Sequence, residues 1–388
     1  MRISIDKCEI FGIIQDGLCL KNNKRGILKM KNKKVLIIAI VAVVVVLAVV
    51  LGVALAGNGS DPTTTTTTTT TKKPAPQTQT YKLGMGAVAG DHTASQSNLT
   101  VATVVLDKDG KIVACRLDVA QNKYGFDEDE EEVVFTRLET KMELKEGYNM
   151  KPASGIGKEW YEQAKAFEAF VVGKTAAEVE ALTVVQNGSH WVSNDPVLSA
   201  GCTMDIVDFK AAVVKACNDE QGMSFETDKT FTLGLGINSA NDSSSAEDEE
   251  NYLVKMNVEF AASVVIDGKV VATVNDAYQP NITVEDGEVV LATVGTFAGQ
   301  TDKNNVFNTK RELKETYGMD AAHVDKNGDD VSLEWYLQSK AYSEHVVGKT
   351  AAELAGYFTA NDDLLAADCT IYIGGISTVV AESVTNAR

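Results

Sequence analysis

The chain has 388 residues, with 36 lysines and arginines against 54 aspartates and glutamates and a formal charge of -18 at pH 7. That length leaves room for two or three domains, each able to bury a core. The acidity argues against nucleic acid or anionic lipid as a partner of the globular part, because many of the basic residues lie before Val35 and at Lys72-Lys73. The six cysteines, Cys8, Cys19, Cys115, Cys202, Cys217 and Cys369, show no CxxC pair, and the four histidines are scattered, so no metal site is expected.

Residues 1–34 are polar and basic, and the positive-inside rule makes them a cytoplasmic flank. Met30 with the lysines that follow is itself a good start to a targeting segment, so translation is expected to begin either at Met1 or at Met30. Residues 35–56 form an uncharged apolar run, about 33 Å long as a helix, which suits a transmembrane span with the remaining chain outside the cell membrane. The alternative is a cleaved signal peptide, since Ala54-Leu55-Ala56 satisfies the small-residue rule at a cleavage site. No cysteine sits at this boundary, which excludes a lipoprotein anchor. Residues 57–80, with threonine at every position from 63 to 71 and prolines at 62, 74 and 76, bury no core and read as a stalk or plain linker.

The remainder is one unit written twice, over 81–219 and 231–388, joined by a polar junction at 220–230. Each copy opens on an LGxG pair, Gly84/Gly86 and Gly234/Gly236, and continues into a β-hairpin turning at Asp109-Gly110 or Asp267-Gly268. The acidic stretch 126–132 reads as a solvated loop, because its acids are consecutive and not spaced as calcium ligands. TKMEL at 140–144 is matched by TKREL at 309–313, and EWYEQAKAFEAFVVGKTAAEVEAL at 159–182 by EWYLQSKAYSEHVVGKTAAELAGY at 334–357. The latter pair predicts an amphipathic helix with Trp160, Tyr161, Ala164 and Phe167 on one side, a stop at Gly173 and a restart at a Thr-x-x-Glu capping box. A last helix follows Thr203. The fold class is therefore α+β, two tandem repeats of an antiparallel sheet with helices on it, and the polar junction implies that the second repeat folds alone.

There is no G-x-S-x-G and no Walker run, and Gly155-Ile156-Gly157 lacks the pattern of a dinucleotide site, so hydrolase and nucleotide readings find no support. The glycine pairs are expected to serve close backbone packing. Each copy then closes on a small-residue segment ending in Cys-Thr: SAGCT with Gly201, Cys202 and Thr203, and AADCT with Cys369 and Thr370. Read by itself, such a segment turns the chain and caps the last helix.

The whole order of motifs resembles the bacterial FMN-binding domain of secreted, flavinylated surface proteins, including pheromone-precursor-like lipoproteins that carry two such domains. The resemblance implies that a separate FMN transferase esterifies FMN to a threonine hydroxyl, here Thr203 and Thr370. The flavin then relays electrons from a membrane electron donor to neighbouring flavinylated domains. SAGCT keeps the glycine of that family's motif, with Cys202 in place of alanine, whereas AADCT carries Asp368 at the glycine position, which predicts lower occupancy at Thr370. Trp160, Tyr161, Trp335 and Tyr336 are candidates to stack on the ring, and Lys158 and Lys174 to meet the phosphate. The competing reading is a stalked adhesin or structural repeat protein with no cofactor.

Overall fold

Runs rich in valine, leucine and alanine make the first three strands, and a tight turn ties two of them together. In the computed structural model, which describes residues 78–297, 307–322, 333–359, 361, 363–364 and 368–388, the fold is mixed α+β and every strand pairing is antiparallel. The basic flank, the apolar run 35–56 and the stalk up to residue 77 lie outside the described residues. Among the described residues no helix is long and apolar enough to cross a membrane.

The first repeat begins with β1 (Gln79–Ala89), β2 (Gln96–Leu106), β3 (Ile112–Asp127) and β4 (Glu132–Arg137). The β2–β3 turn closes where Gly110, at φ 72°, occupies the left-handed region its lack of a Cβ permits. Short helix α1 (Lys141–Leu144) follows, capped reciprocally by Thr140 and Glu143. Helix α2 (Trp160–Val171) stops before Gly173, whose φ of 86° no β-branched residue would adopt, and α3 (Ala176–Glu180) restarts on the Thr175/Glu178 box. The hairpin β5 (Val184–Asn187) and β6 (His190–Ser193), the turn α4 (Pro196–Ser199) and the long α5 (Val207–Cys217) complete it.

Residues 220–230, the polar junction of the sequence, contain β7 (Met223–Thr227), which pairs with β1 and makes the first sheet five-stranded in the order β4-β3-β2-β1-β7. Apolar Met223 and Phe225 alternate with polar neighbours there, a pattern too short to stand out among charges.

The second repeat runs β8 (Thr232–Asn241), β9 (Ser245–Ala246), β10 (Tyr252–Ile266), β11 (Lys269–Tyr278), β12 (Pro280–Glu285) and β13 (Glu288–Val294). Asp267 and Gly268, both at positive φ, form the two-residue turn whose twist suits a hairpin. Next come α6 (Lys310–Leu313), α7 (Met319–Ala322), α8 (Trp335–His345), α9 (Ala351–Leu354) and α10 (Gly374–Thr385). Thr309/Glu312 and Thr350/Glu353 are capping boxes, and Gly348 repeats the stop at φ 87°.

The LGxG pairs permit the last helix of each repeat to lie on its first strand. A Cβ on Gly86 would sit 2.5 Å from the Ala216 nitrogen of α5, and one on Gly234 would sit 1.7 Å from the Ser383 oxygen of α10. Strand β2 is buried on both faces. Ala102, Val104 and Leu106 face α2 and α5, while Leu99, Val101 and Val105 join a core shared with Val258, Phe260 and Val264 of the second repeat. Residues 75–388 thus form one compact unit. Arg311 to Asp219 at 3.0 Å and Lys215 to Glu312 at 2.6 Å fasten one side of the contact, and Arg388 to Glu168 at 2.9 Å the other.

Candidate functional site

Helix spacing builds the site. Trp160 and Gln163 stand three residues apart on α2, as Trp335 and Gln338 do on α8, so each pair shares a helix face, and each glutamine reaches the Cys-Thr segment. Gln163 is fully buried, and its Oε1 accepts from the Thr203 amide at 2.8 Å and from the Thr203 hydroxyl at 3.2 Å. Gln338 Oε1 accepts from the Thr370 amide at 2.8 Å, the Thr370 hydroxyl at 3.1 Å and the Ile371 amide at 3.1 Å. Each amide nitrogen is in turn used, Gln163 Nε2 donating to the Lys158 carbonyl at 3.1 Å and Gln338 Nε2 to the Leu333 carbonyl at 2.6 Å. A buried amide so committed cannot rotate, and the two threonines are held alike.

The neighbouring cysteines play another part. Cys202 and Cys369 are both fully buried as free thiols, and burial pushes each thiol up to about 11, so neither is a thiolate at neutral pH. They anchor the segment inward while the threonine stays at the surface, Thr203 half-buried and Thr370 exposed. Gly201 is required by contact, since a Cβ there would lie 2.8 Å from Ala166 Cβ on α2. Asp368, at the matching position, is exposed and held at φ 62°, a left-handed conformation that aspartate tolerates better than most residues.

The two copies differ in what lies over them. Beside Thr203 the β5–β6 hairpin folds back, the Trp191 carbonyl accepting from the Ile206 amide at 3.1 Å and the Trp191 amide donating to Asp205 at 2.8 Å. The shorter connection between Thr350 and Thr370 has no such described hairpin, and Thr370 borders a cleft of about 450 Å³ that Lys310, Tyr317, Trp335, Gln338 and Phe297 also line. That volume falls in the range of small-molecule sites. Above the tryptophan of each copy lies a lysine from the capped turn. Lys310 Nζ is 5.2 Å from the ring centroids of both Tyr317 and Trp335, and Lys141 Nζ is 5.1 Å from Tyr148 and 5.6 Å from Trp160. Burial holds both lysines down to about 8.

Of the aromatic candidates, Trp160 and Trp335 are both buried, Trp335 in the floor of the cleft and Trp160 edge-on against Phe209 with centroids 5.9 Å apart. The Tyr161 hydroxyl donates to Glu146 at 3.0 Å and the Tyr336 hydroxyl to Glu315 at 2.9 Å, away from the threonines. Lys174 lies over Phe170 at 4.4 Å, and Lys158 meets the site through its backbone carbonyl. Sequence reasoning passed over Gln163, Gln338, Lys141 and Lys310, although each recurs at the same place in both copies. Repetition was the available signal. Among the described residues no group of three or more histidine, cysteine, aspartate or glutamate side chains is arranged to hold a metal ion.

No family model matches the chain, and neither does any solved structure. A chlorophenol reductase from Desulfitobacterium hafniense is 33% identical over 117 residues, which are 25% of this chain and 36% of that protein. The chain thus spans about a third of the length of that relative.

Proposed function

We propose that the protein is an extracytoplasmic electron carrier with FMN joined through phosphoester bonds to Thr203 and Thr370, anchored by residues 35–56 as a single membrane span with the stalk lifting both repeats clear of the bilayer. The observation that carries this reading is the threonine presentation: in both copies a buried glutamine clamps backbone and hydroxyl of a surface threonine, and at Thr370 that hydroxyl borders a cleft lined by aromatic rings, Lys310 and Glu259. A helix cap alone needs no such clamp. The residues suit the group chemically through the Lys310 charge and the exposed Phe297 and Tyr372 rings on the cleft wall, Trp335 and Tyr317 being buried beneath Lys310. Bound there, FMN would accept and pass on electrons. The chain's own residues would hold each attachment threonine in place through its backbone amide.

The reductase among the relatives is a redox protein by name, which agrees with the proposal. The transferase, the membrane donor and the neighbouring flavinylated domains are its proposed partners. Thr370 is modified more slowly than Thr203, because the Asp368 carboxylate lies two residues before its hydroxyl and opposes an incoming phosphate. Co-expression with an FMN transferase, followed by peptide mass spectrometry, tests the reading. Flavin on both threonine peptides, in a protein that stays yellow after denaturation, is expected. A colourless protein with both threonines unmodified overturns it in favour of the adhesin.

A further inference from the structure

Lys310 and Lys141 are half-buried charges that the threonine clamp leaves unused. Among the described residues neither ammonium forms an ion pair. Both are held between a tyrosine and a tryptophan. Burial costs each ammonium more than the carboxylates and rings around it return, so a further anion arriving beside it is favoured. The fold nevertheless repeats this placement. The backbone amide after each lysine is fixed by a buried aspartate, Met142 donating to Asp118 and Arg311 to Asp276, both at 3.0 Å, so the lysine is placed by the sheet and not by chance packing.

We propose that Lys310, and Lys141 in the first repeat, are positioning charges for the flavin: each ammonium offsets the negative charge that the ring takes up on reduction, and thereby raises its reduction potential. This rests on the reading that Thr203 and Thr370 carry FMN. The balance is simple. Two electrons from a reductant and one proton from water leave the ring with one net negative charge, and a fixed ammonium beside it favours that state over the neutral oxidised one.

The charges facing each lysine agree with such a role. Glu259 on β10, Asp276 on β11 and Asp242 after β8 pull the ionisation of Lys310 up against the burial that lowers it to about 8, and its neighbours Arg311 and Glu312 are tied to Asp219 and Lys215. Burial and Arg137 lower Lys141, while Asp118 and Asp208 raise it, again leaving it at about 8. Both lysines therefore begin to lose their proton just above neutral pH when the ring is oxidised. A reduced, anionic ring raises that value, so between the two values reduction draws one extra proton onto each lysine. The potential then falls more steeply with pH above about 8 than below it.

The test uses the full chain co-expressed with an FMN transferase, titrated with dithionite while the flavin spectrum is followed, with flavin content read by peptide mass spectrometry. In Lys310→Met the equilibrium constant for reduction of the Thr370 flavin should drop about tenfold, a shift of about 30 mV for a two-electron couple. Lys310→Arg should keep the higher potential and lose the steep limb above pH 8. The unmodified chain reports independently, through that limb, should the methionine variant fold poorly. Normal flavin content with an unchanged potential in Lys310→Met, or a parent potential with no added slope above pH 8, overturns the inference and leaves the flavin reading intact. A parent chain without flavin overturns both.

Discussion

At the residue scale, the buried glutamines carry the argument. Removing the side chain in Gln338→Ala leaves the Thr370 and Ile371 amides without their acceptor, which should cost about 1 to 3 kcal/mol of stability and lower flavin occupancy at Thr370 while Thr203 is unaffected. Thermal unfolding and site-resolved mass spectrometry check the two parts separately. Asp368 offers a cleaner kinetic prediction. Asp368→Asn retains a side chain that tolerates φ 62° and removes the charge, so the rate at which Thr370 gains flavin should rise several-fold with little change in stability. An unchanged time course would show the carboxylate to be irrelevant to the transferase.

At the element scale, the last helix of each repeat sits where it does because two glycines in the opposing strand have no side chain. Gly234→Ala would push a methyl into the Ser383 carbonyl, which is backbone and cannot swing aside. Overpacking of this kind costs about 1 to 3 kcal/mol, and the displaced α10 would carry the Thr370 segment with it. Denaturant unfolding should show the loss, and a midpoint matching the parent would mean that α10 slides without penalty. The capping boxes at Thr140, Thr175, Thr309 and Thr350 explain why such short helices form at all, since each replaces two orphan amide contacts with reciprocal side-chain bonds.

At the scale of the whole molecule, the repeats share a core. The shared core of β2 and β10 and the pairing of β7 with β1 predict a single cooperative melt for residues 75–388, against the independence that a polar junction implies. Two resolved calorimetric transitions would contradict it. The contact is also unequal on its two sides. Where Lys215 meets Glu312, the opposite side brings Glu382 against Glu143 and Asp118. Burial chiefly, then those two carboxylates, push Glu382 up to about 7, and burial pushes Asp118 up to about 7. Both are raised above their unfolded values, so stability is lost as pH climbs from near 4 through 7 and regained on acidification. Glu382→Gln should flatten that slope and gain on the order of 2 kcal/mol at pH 8, read from melts across the same range.

Much of this was legible in the chain itself, because duplication writes each local rule twice. The α+β class, the hairpin turns, the helix stops at Gly173 and Gly348 and the Thr-x-x-Glu boxes depend on neighbours a few residues apart, and those preferences act before any tertiary contact forms. The threonines stood out for the same reason. What only the tertiary structure decided joins residues far apart: the clamp from Gln163 to Thr203, the lysine laid across Tyr317 and Trp335, the pairing of β7 with β1, and the core common to both repeats. No local propensity encodes those, since a glutamine on a helix face or a valine on a strand has the same preference whichever partner arrives. The shape of the closed fold selects the partner.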